Sequence, residues 1–366
     1  MSVRSRGLAL LLVLGLWGCR DASRSTIGVA MGTDGVAAAR LAAADVNAAG
    51  GIGGDSLRLR VTEMEAVAAA QRAIRVADSL ASDPAVVAVV GHSNSAASLA
   101  ASQIYNARQL AHVAPTTTAP LFSKAGPYSF RLVPDDRRQA DFLVAEIVRS
   151  GARRVAVVYV NDDYGRALQL AVRAQLDRHA TPVVYEAPYL EPGDSAQLAV
   201  VARAAANARP DLLVWLGRPP QLARVLATLR PLRPALPVLG SDAVDLGPVY
   251  EQPARFSLVR FVRFVDPAGP APSLQAFRAR FVAASGHEPT AEALLAYDAT
   301  MLLAAAMRDG ARTRAAVRDW LADVGSARPA HQGISGPIAF DSAGDANRPL
   351  RLAEVRPDGV RAVSNP

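Results

Sequence analysis

Cysteine is nearly missing: Cys19 is the one cysteine in 366 residues, so no internal disulfide can form. Lysine is as scarce. Lys124 stands alone and no G-x-x-x-x-G-K-[ST] run surrounds it, which excludes a phosphate-cradling loop of that kind. Aromatic residues make up 5% of the chain, and the basic residues, almost all arginine, are scattered rather than blocked. A nucleic-acid face needs clustered positive charge with interleaved aromatics, so the formal charge of +7 does not point to nucleic acid. The five histidines, His92, His112, His179, His287 and His331, are far apart and lack the spacing of zinc ligands. No G-x-S-x-G elbow supports a hydrolase. After Cys19 no apolar stretch approaches the roughly 20 residues that span a bilayer.

What is present begins at the N-terminus. Arg4 and Arg6 precede an apolar run, Leu8 to Leu16, that is too short for a finished transmembrane helix. Residues 1–19 therefore read as a secretory signal. Leu16-Trp17-Gly18-Cys19 resembles the lipobox of bacterial lipoproteins, in which the cysteine is acylated. That resemblance implies export to the periplasm or cell surface, with a lipid on Cys19 as the membrane anchor. A chain of 366 residues, 51% hydrophobic and 20% charged, is globular and exceeds what one core usually organises. Two lobes are expected.

From Ser25 short β-rich runs alternate with Ala-rich amphipathic segments, the mark of βαβ units and a parallel sheet. The spacing predicts strands at Thr26–Met31, Leu57–Glu63, Val86–Val90 and around Val113, and helices at Val36–Ala49, Ala66–Ala81 and Ser95 to about Arg108. After Pro134 the same order restarts. Helices Arg137–Arg149, Tyr164–Arg178, Ser195–Ala208 and Gln221–Leu229 alternate with strands Val155–Tyr159, Val183–Ala187, Leu212–Leu216 and Val238–Gly240. Ser273–Leu321 reads as three helices, and Pro337–Phe340 with Leu350–Val355 as closing strands. Two doubly wound parallel-sheet α/β lobes fit this order better than one very wide sheet.

Several segments stand out in order along the chain: Asp45-Val46-Asn47-Ala48-Ala49-Gly50-Gly51-Ile52-Gly53-Gly54, Val89-Val90-Gly91-His92-Ser93-Asn94-Ser95, Pro115-Thr116-Thr117-Thr118-Ala119-Pro120, Asp162-Asp163-Tyr164-Gly165, and Gly333-Ile334-Ser335-Gly336-Pro337-Ile338-Ala339-Phe340-Asp341 with Gly344-Asp345. As an ordered set they resemble the type I periplasmic binding proteins of the leucine/isoleucine/valine-binding family. The resemblance implies two lobes joined by a three-crossing hinge near Val133, near Phe261 to Val265 and near Phe340. Residues 25–133 with about 265–339 would form one lobe, and 134–264 with about 340–363 the other. Ligand would sit between them at the carboxyl ends of the strands.

Ser95 follows a strand and opens a helix, so its hydroxyl can cap that helix while backbone amides and the helix dipole favour a carboxylate. The resemblance implies that Ser95, Thr116 and Thr118 hold the ligand's carboxylate; the plainer alternative is an N-cap and a hydroxyl-supported turn. It also places a ligand-binding acid at Asp242, which could instead line a turn, and a cleft-facing tyrosine at Tyr164. Trp215, ending a second-lobe strand, is either a pocket wall or core. One segment departs from the family: only Gly32-Thr33-Asp34-Gly35 separates Met31 from the first helix, where relatives carry a longer loop.

The expected function is a monomeric substrate-binding lipoprotein that delivers an amino acid or related small carboxylate to an ABC permease in the inner membrane. It would need no cofactor and catalyse no reaction. The alternative is a lipoprotein of the same fold that regulates a protein partner, for example a cell-wall synthase, without a small ligand.

Overall fold

The computed structural model describes residues 26–64 and 70–363; the signal segment and Cys19 lie outside them. The first unit runs β1 (Thr26–Met31), α1 (Thr33–Ala48), β2 (Arg58–Glu63), α2 (Ala70–Ser82), β3 (Val86–Gly91), α3 (Ser95–Ala107), β4 (Ala111–Ala114) and β5 (Ser129–Arg131). Its sheet is parallel throughout, in the order β2-β1-β3-β4-β5. β1 and β3 are buried at every position, as strands covered on both faces must be. In β1 the alternation sorts the two cores, with Ile27, Val29 and Met31 facing one and Ala30 the other.

The second unit repeats that winding. It comprises α4 (Asp136–Arg149), β6 (Val155–Val160), α5 (Asp163–Arg178), β7 (Val183–Tyr189), α6 (Ser195–Asn207), β8 (Leu212–Leu216), α7 (Pro219–Leu232), β9 (Val238–Gly240), α8 (Gly247–Glu251) and β10 (Val259–Arg263). The chain then returns to the first lobe with α9 (Pro272–Ser285), α10 (Ala291–Arg308) and α11 (Arg314–Asp323), which cover one face of its sheet. A small hairpin, β11 (His331–Gly333) and β12 (Gly336–Ile338), follows; β13 (Arg351–Arg356) and β14 (Gly359–Val363) finish on the second sheet. That sheet has the order β14-β13-β10-β9-β8-β6-β7, its parallel part matching the first sheet strand for strand. β13 and β14 add antiparallel at one side.

The chain thus passes between the sheets three times: after β5, after β10 and before β13. The sequence puts the third passage near Phe340, with the second lobe resuming at about residue 340, but the chain stays on the first lobe several residues longer. Phe340 pairs with Ala346 and packs on Phe130 with ring centroids 5.1 Å apart, while buried Arg131 forms an ion pair with Asp345. These contacts hold residues 340–346 on the first lobe, so the passage falls at residues 347–350. Gly51 shows why the turn after α1 needs glycine. Its φ is +70°, and a Cβ there would meet the Asp55 carbonyl at 2.1 Å.

Candidate functional site

Both sheets aim the carboxyl ends of their strands at one cleft. From the first lobe Ser93, Asn94 and Ser95 follow β3, Thr116 follows β4, and Ala291 and Glu292 open α10; from the second come Tyr164, Arg218, Asp242 and Asp245. The space between them is about 690 Å³, its open mouth included.

The β3–α3 turn is built differently from its sequence reading. Asn94, not Ser95, is the N-cap of α3, accepting the Ala97 amide at 2.9 Å. Ser95 is the first helical residue. Its Oγ accepts the amides of Thr118 and Ala119 at 3.4 and 3.2 Å, which ties the two lobe-one loops together. Thr116 donates from Oγ1 to the Ser93 carbonyl at 3.0 Å and reaches the cleft. Thr118 does not: it is 1% exposed, and its hydroxyl faces the carboxyl of Asp136. His92 turns the other way, its ring nitrogens against Met64 Sδ (3.1 Å) and Tyr105 Oη (3.2 Å), and so does not face Ser95.

On the second lobe Asp162 caps α5 by accepting the Gly165 amide at 2.8 Å. This fixes the helix start that carries Tyr164. The Tyr164 hydroxyl donates to Asp242 Oδ1 at 2.6 Å, and the Asp242 amide donates to Gln139 Oε1 at 2.9 Å. Burial holds Asp242 above the usual carboxylate pKa, while the Tyr164 and Gln139 hydrogen bonds pull it back. Behind it, Asp136 is fully buried and held well above the ordinary value, first by burial and then by the charge of Asp242.

Trp215 is fully buried and stacks on Tyr189 with centroids 4.8 Å apart at 13°. It lies under the cleft rather than in its wall, because β8 is a central strand covered on both faces. The pair supports the cleft at Arg218: Trp215 Nε1 donates to the Arg218 carbonyl at 3.3 Å, and the Arg218 amide to the Tyr189 hydroxyl at 3.0 Å.

The charges of the cleft are unequal. Arg218 is paired with Glu191 and Asp162, and Arg263 with Asp245 and Asp266, so each arginine is matched by two acids. Asp242 and Glu292 have no cationic partner within ion-pair distance among the described residues. Sequence reasoning passed over Glu292 because an acid in the first turn of a helix, here capped by Thr290, is expected for the helix dipole alone. Within the described residues no group of His, Cys, Asp and Glu suits a metal ion.

A family model described as "Periplasmic binding protein" matches residues 22–360. An "Amino acid binding protein" of Pseudomonas aeruginosa is 28% identical over 319 residues, covering 83% of this chain and 80% of that one. "Leu/Ile/Val-binding protein homolog 1" of Brucella abortus is 25% identical over 319 residues, with 85% and 82% covered. Among solved structures, an ABC transporter substrate-binding protein from Desulfitobacterium hafniense in complex with Leu superposes with a TM-score of 0.77 at 23% identity, covering 92% of this chain and 99% of that one. A solute binding protein of an ABC transporter from R. palustris in complex with benzoate gives 0.79 at 16% identity, with 93% and 95% covered.

Proposed function

This chain belongs to the periplasmic binding protein family, whose members are exported solute binders rather than enzymes, and from that premise we propose that it is the substrate-binding lipoprotein of an ABC transporter. Its ligand is an amino acid or a related small carboxylate, closed between the two lobes by a hinge motion at the three passages. The observation that carries this reading is the pairing across the cleft of hydroxyl groups on one lobe, Ser95 and Thr116, with an acid and a phenol on the other, Asp242 and Tyr164.

In this reading the ligand's carboxylate docks at the first lobe, on the Ser95 hydroxyl and the loop at Thr116, near the start of α3 where the helix dipole is favourable. Its ammonium docks on Asp242, with Tyr164 holding that carboxylate in place. Thr118 acts one step back, setting the loop and facing Asp136. Relatives named for amino acids or complexed with Leu support the ligand class. Acylation at Cys19 would keep the protein at the membrane beside its permease.

Thermal unfolding of the purified chain against amino acids, small carboxylates, amides and peptides tests this. Any co-purified ligand is first stripped by unfolding and refolding. A ligand at about 100 times its Kd adds about 2.7 kcal/mol, a shift of several degrees. A shift confined to amino acids or carboxylates is expected. If a cooperatively unfolding protein shifts with none of them, the reading is replaced by that of a same-fold lipoprotein acting on a protein partner, to which the short β1–α1 connection would then be the pointer.

A further inference from the structure

Beside the cleft lies a second cavity of about 1200 Å³, its open mouth included, that shares Leu246 and Glu292 with it. One wall is the β1–α1 connection itself. α1 begins at Thr33, so Gly32 alone links it to β1, and Gly32 and Thr33 both line the cavity.

The charge of this annex is one-sided. Asp34, Glu63, Glu251 and Glu292 face it, against Arg72 and His287. Arg72 donates to the Glu63 carbonyl at 3.1 Å, and His287 Nε2 lies 3.4 Å from Asp34, which leaves acids in excess.

Glu292 stands at the junction of the two spaces. It is 9% exposed, and its carboxylate takes hydrogen bonds from the Ser93 hydroxyl, at 2.6 Å, and from the Gly32 amide, neither of which carries a charge. Burial pushes its pKa up to about 7, the Asp34 charge adding to the rise and the Ser93 hydroxyl and Gly32 amide opposing it. A carboxylate so weakly solvated is a good partner for a cation carried in by a ligand. It is a poor neighbour for an aliphatic side chain, which would remove its remaining water and return no hydrogen bond. Neither cleft arginine would repel such a cation strongly, since each already has two acids.

We propose that Glu292 determines ligand selectivity, and that the ligand is a basic amino acid whose side-chain ammonium or guanidinium passes Leu246 to meet Glu292 at the mouth of the annex. This rests on the reading that the cleft takes an amino acid: with the α-carboxylate at Ser95 and Thr116 and the α-ammonium at Asp242, the side chain is left to run toward Glu292.

The test is calorimetric titration of the stripped protein with L-arginine, L-lysine, L-ornithine and L-leucine, repeated on Glu292→Gln and Glu292→Leu. At least one basic amino acid is expected to bind at least tenfold more tightly than leucine. Glu292→Gln, nearly isosteric and able to keep the Ser93 contact, should weaken that ligand at least tenfold; Glu292→Leu should narrow or reverse the preference. Leucine binding as well as or better than every basic amino acid, or an affinity untouched by Glu292→Gln, overturns the assignment of Glu292 while the amino-acid reading stands. No binding of any amino acid, including glycine and glutamate added as controls, overturns both.

Discussion

Asp242→Ala is expected to weaken the binding of an α-amino acid by about 100-fold or more. Truncating one partner of a buried, hydrogen-bonded charge pair costs about 2–5 kcal/mol, and about 2.7 kcal/mol corresponds to that factor. Asp242 sits on the loop after β9, carries the Tyr164 hydrogen bond and has no cation of its own among the described residues, so a ligand ammonium would complete it. The same substitution should spare ligands that lack an α-amine, such as small carboxylates, if they bind at all. Folding should be little harmed, because it removes one of two mutually repelling acids, the half-buried Asp242 itself and the fully buried Asp136. Calorimetric titration of both proteins with the best amino acid and its deaminated analogue separates these effects. An equal loss for both ligands would mean that Asp242 holds the loop and does not meet the ammonium.

Trp215→Ala should be among the most damaging substitutions to stability, by about 3–5 kcal/mol, or roughly 5–15 °C in Tm. The indole is fully buried, stacked on Tyr189 and bonded to the Arg218 carbonyl, so its removal opens a cavity and unbinds a backbone group at once. Trp215→Phe keeps the stack and loses the hydrogen bond, and should recover most of the stability. Ligand affinity of Trp215→Phe should stay within about threefold of the parent, since the ring lies behind the cleft. A large loss of affinity in Trp215→Phe at near-parental Tm would make Trp215 part of the ligand wall after all.

Much of the fold was legible because the central strands are apolar runs of the right length between Ala-rich helices, as in Val86–Gly91 and Leu212–Leu216. Four strands, β5, β10, β11 and β14, carry no such run, and in the first two a buried arginine breaks it. β5 has three residues and ends in Arg131, whose burial depends on Asp345 more than 200 residues later. β10 ends in Arg263, buried by Asp245 and Asp266. No local pattern reveals an arginine made apolar by distant acids.

The site was legible as loops rather than as atoms. The segments after β3 and β4 and at the starts of α5 and of the loop after β9 converge on one cleft, which strand-end position alone suggests. Which hydroxyl faces the ligand space is set by turn geometry. Asn94 outcompetes Ser95 for the cap, and the freed Ser95 then takes up the Thr118 and Ala119 amides. Trp215 was undecided because a residue at the end of a central strand can face either a cleft or a covering helix, and a side-chain direction is not readable from an unbroken apolar run. Glu292 was hidden by a second, commoner reason for an acid at that place.

Whether one ligand bridges both lobes is decided by a crystal structure of the protein with the amino acid that stabilises it most. Density is expected in the cleft, with the ligand carboxylate within hydrogen-bond distance of Ser95 and the Thr116 loop and its ammonium on Asp242. A ligand bound outside the cleft, or one touching a single lobe and neither Ser95 nor Asp242, would contradict the bridging.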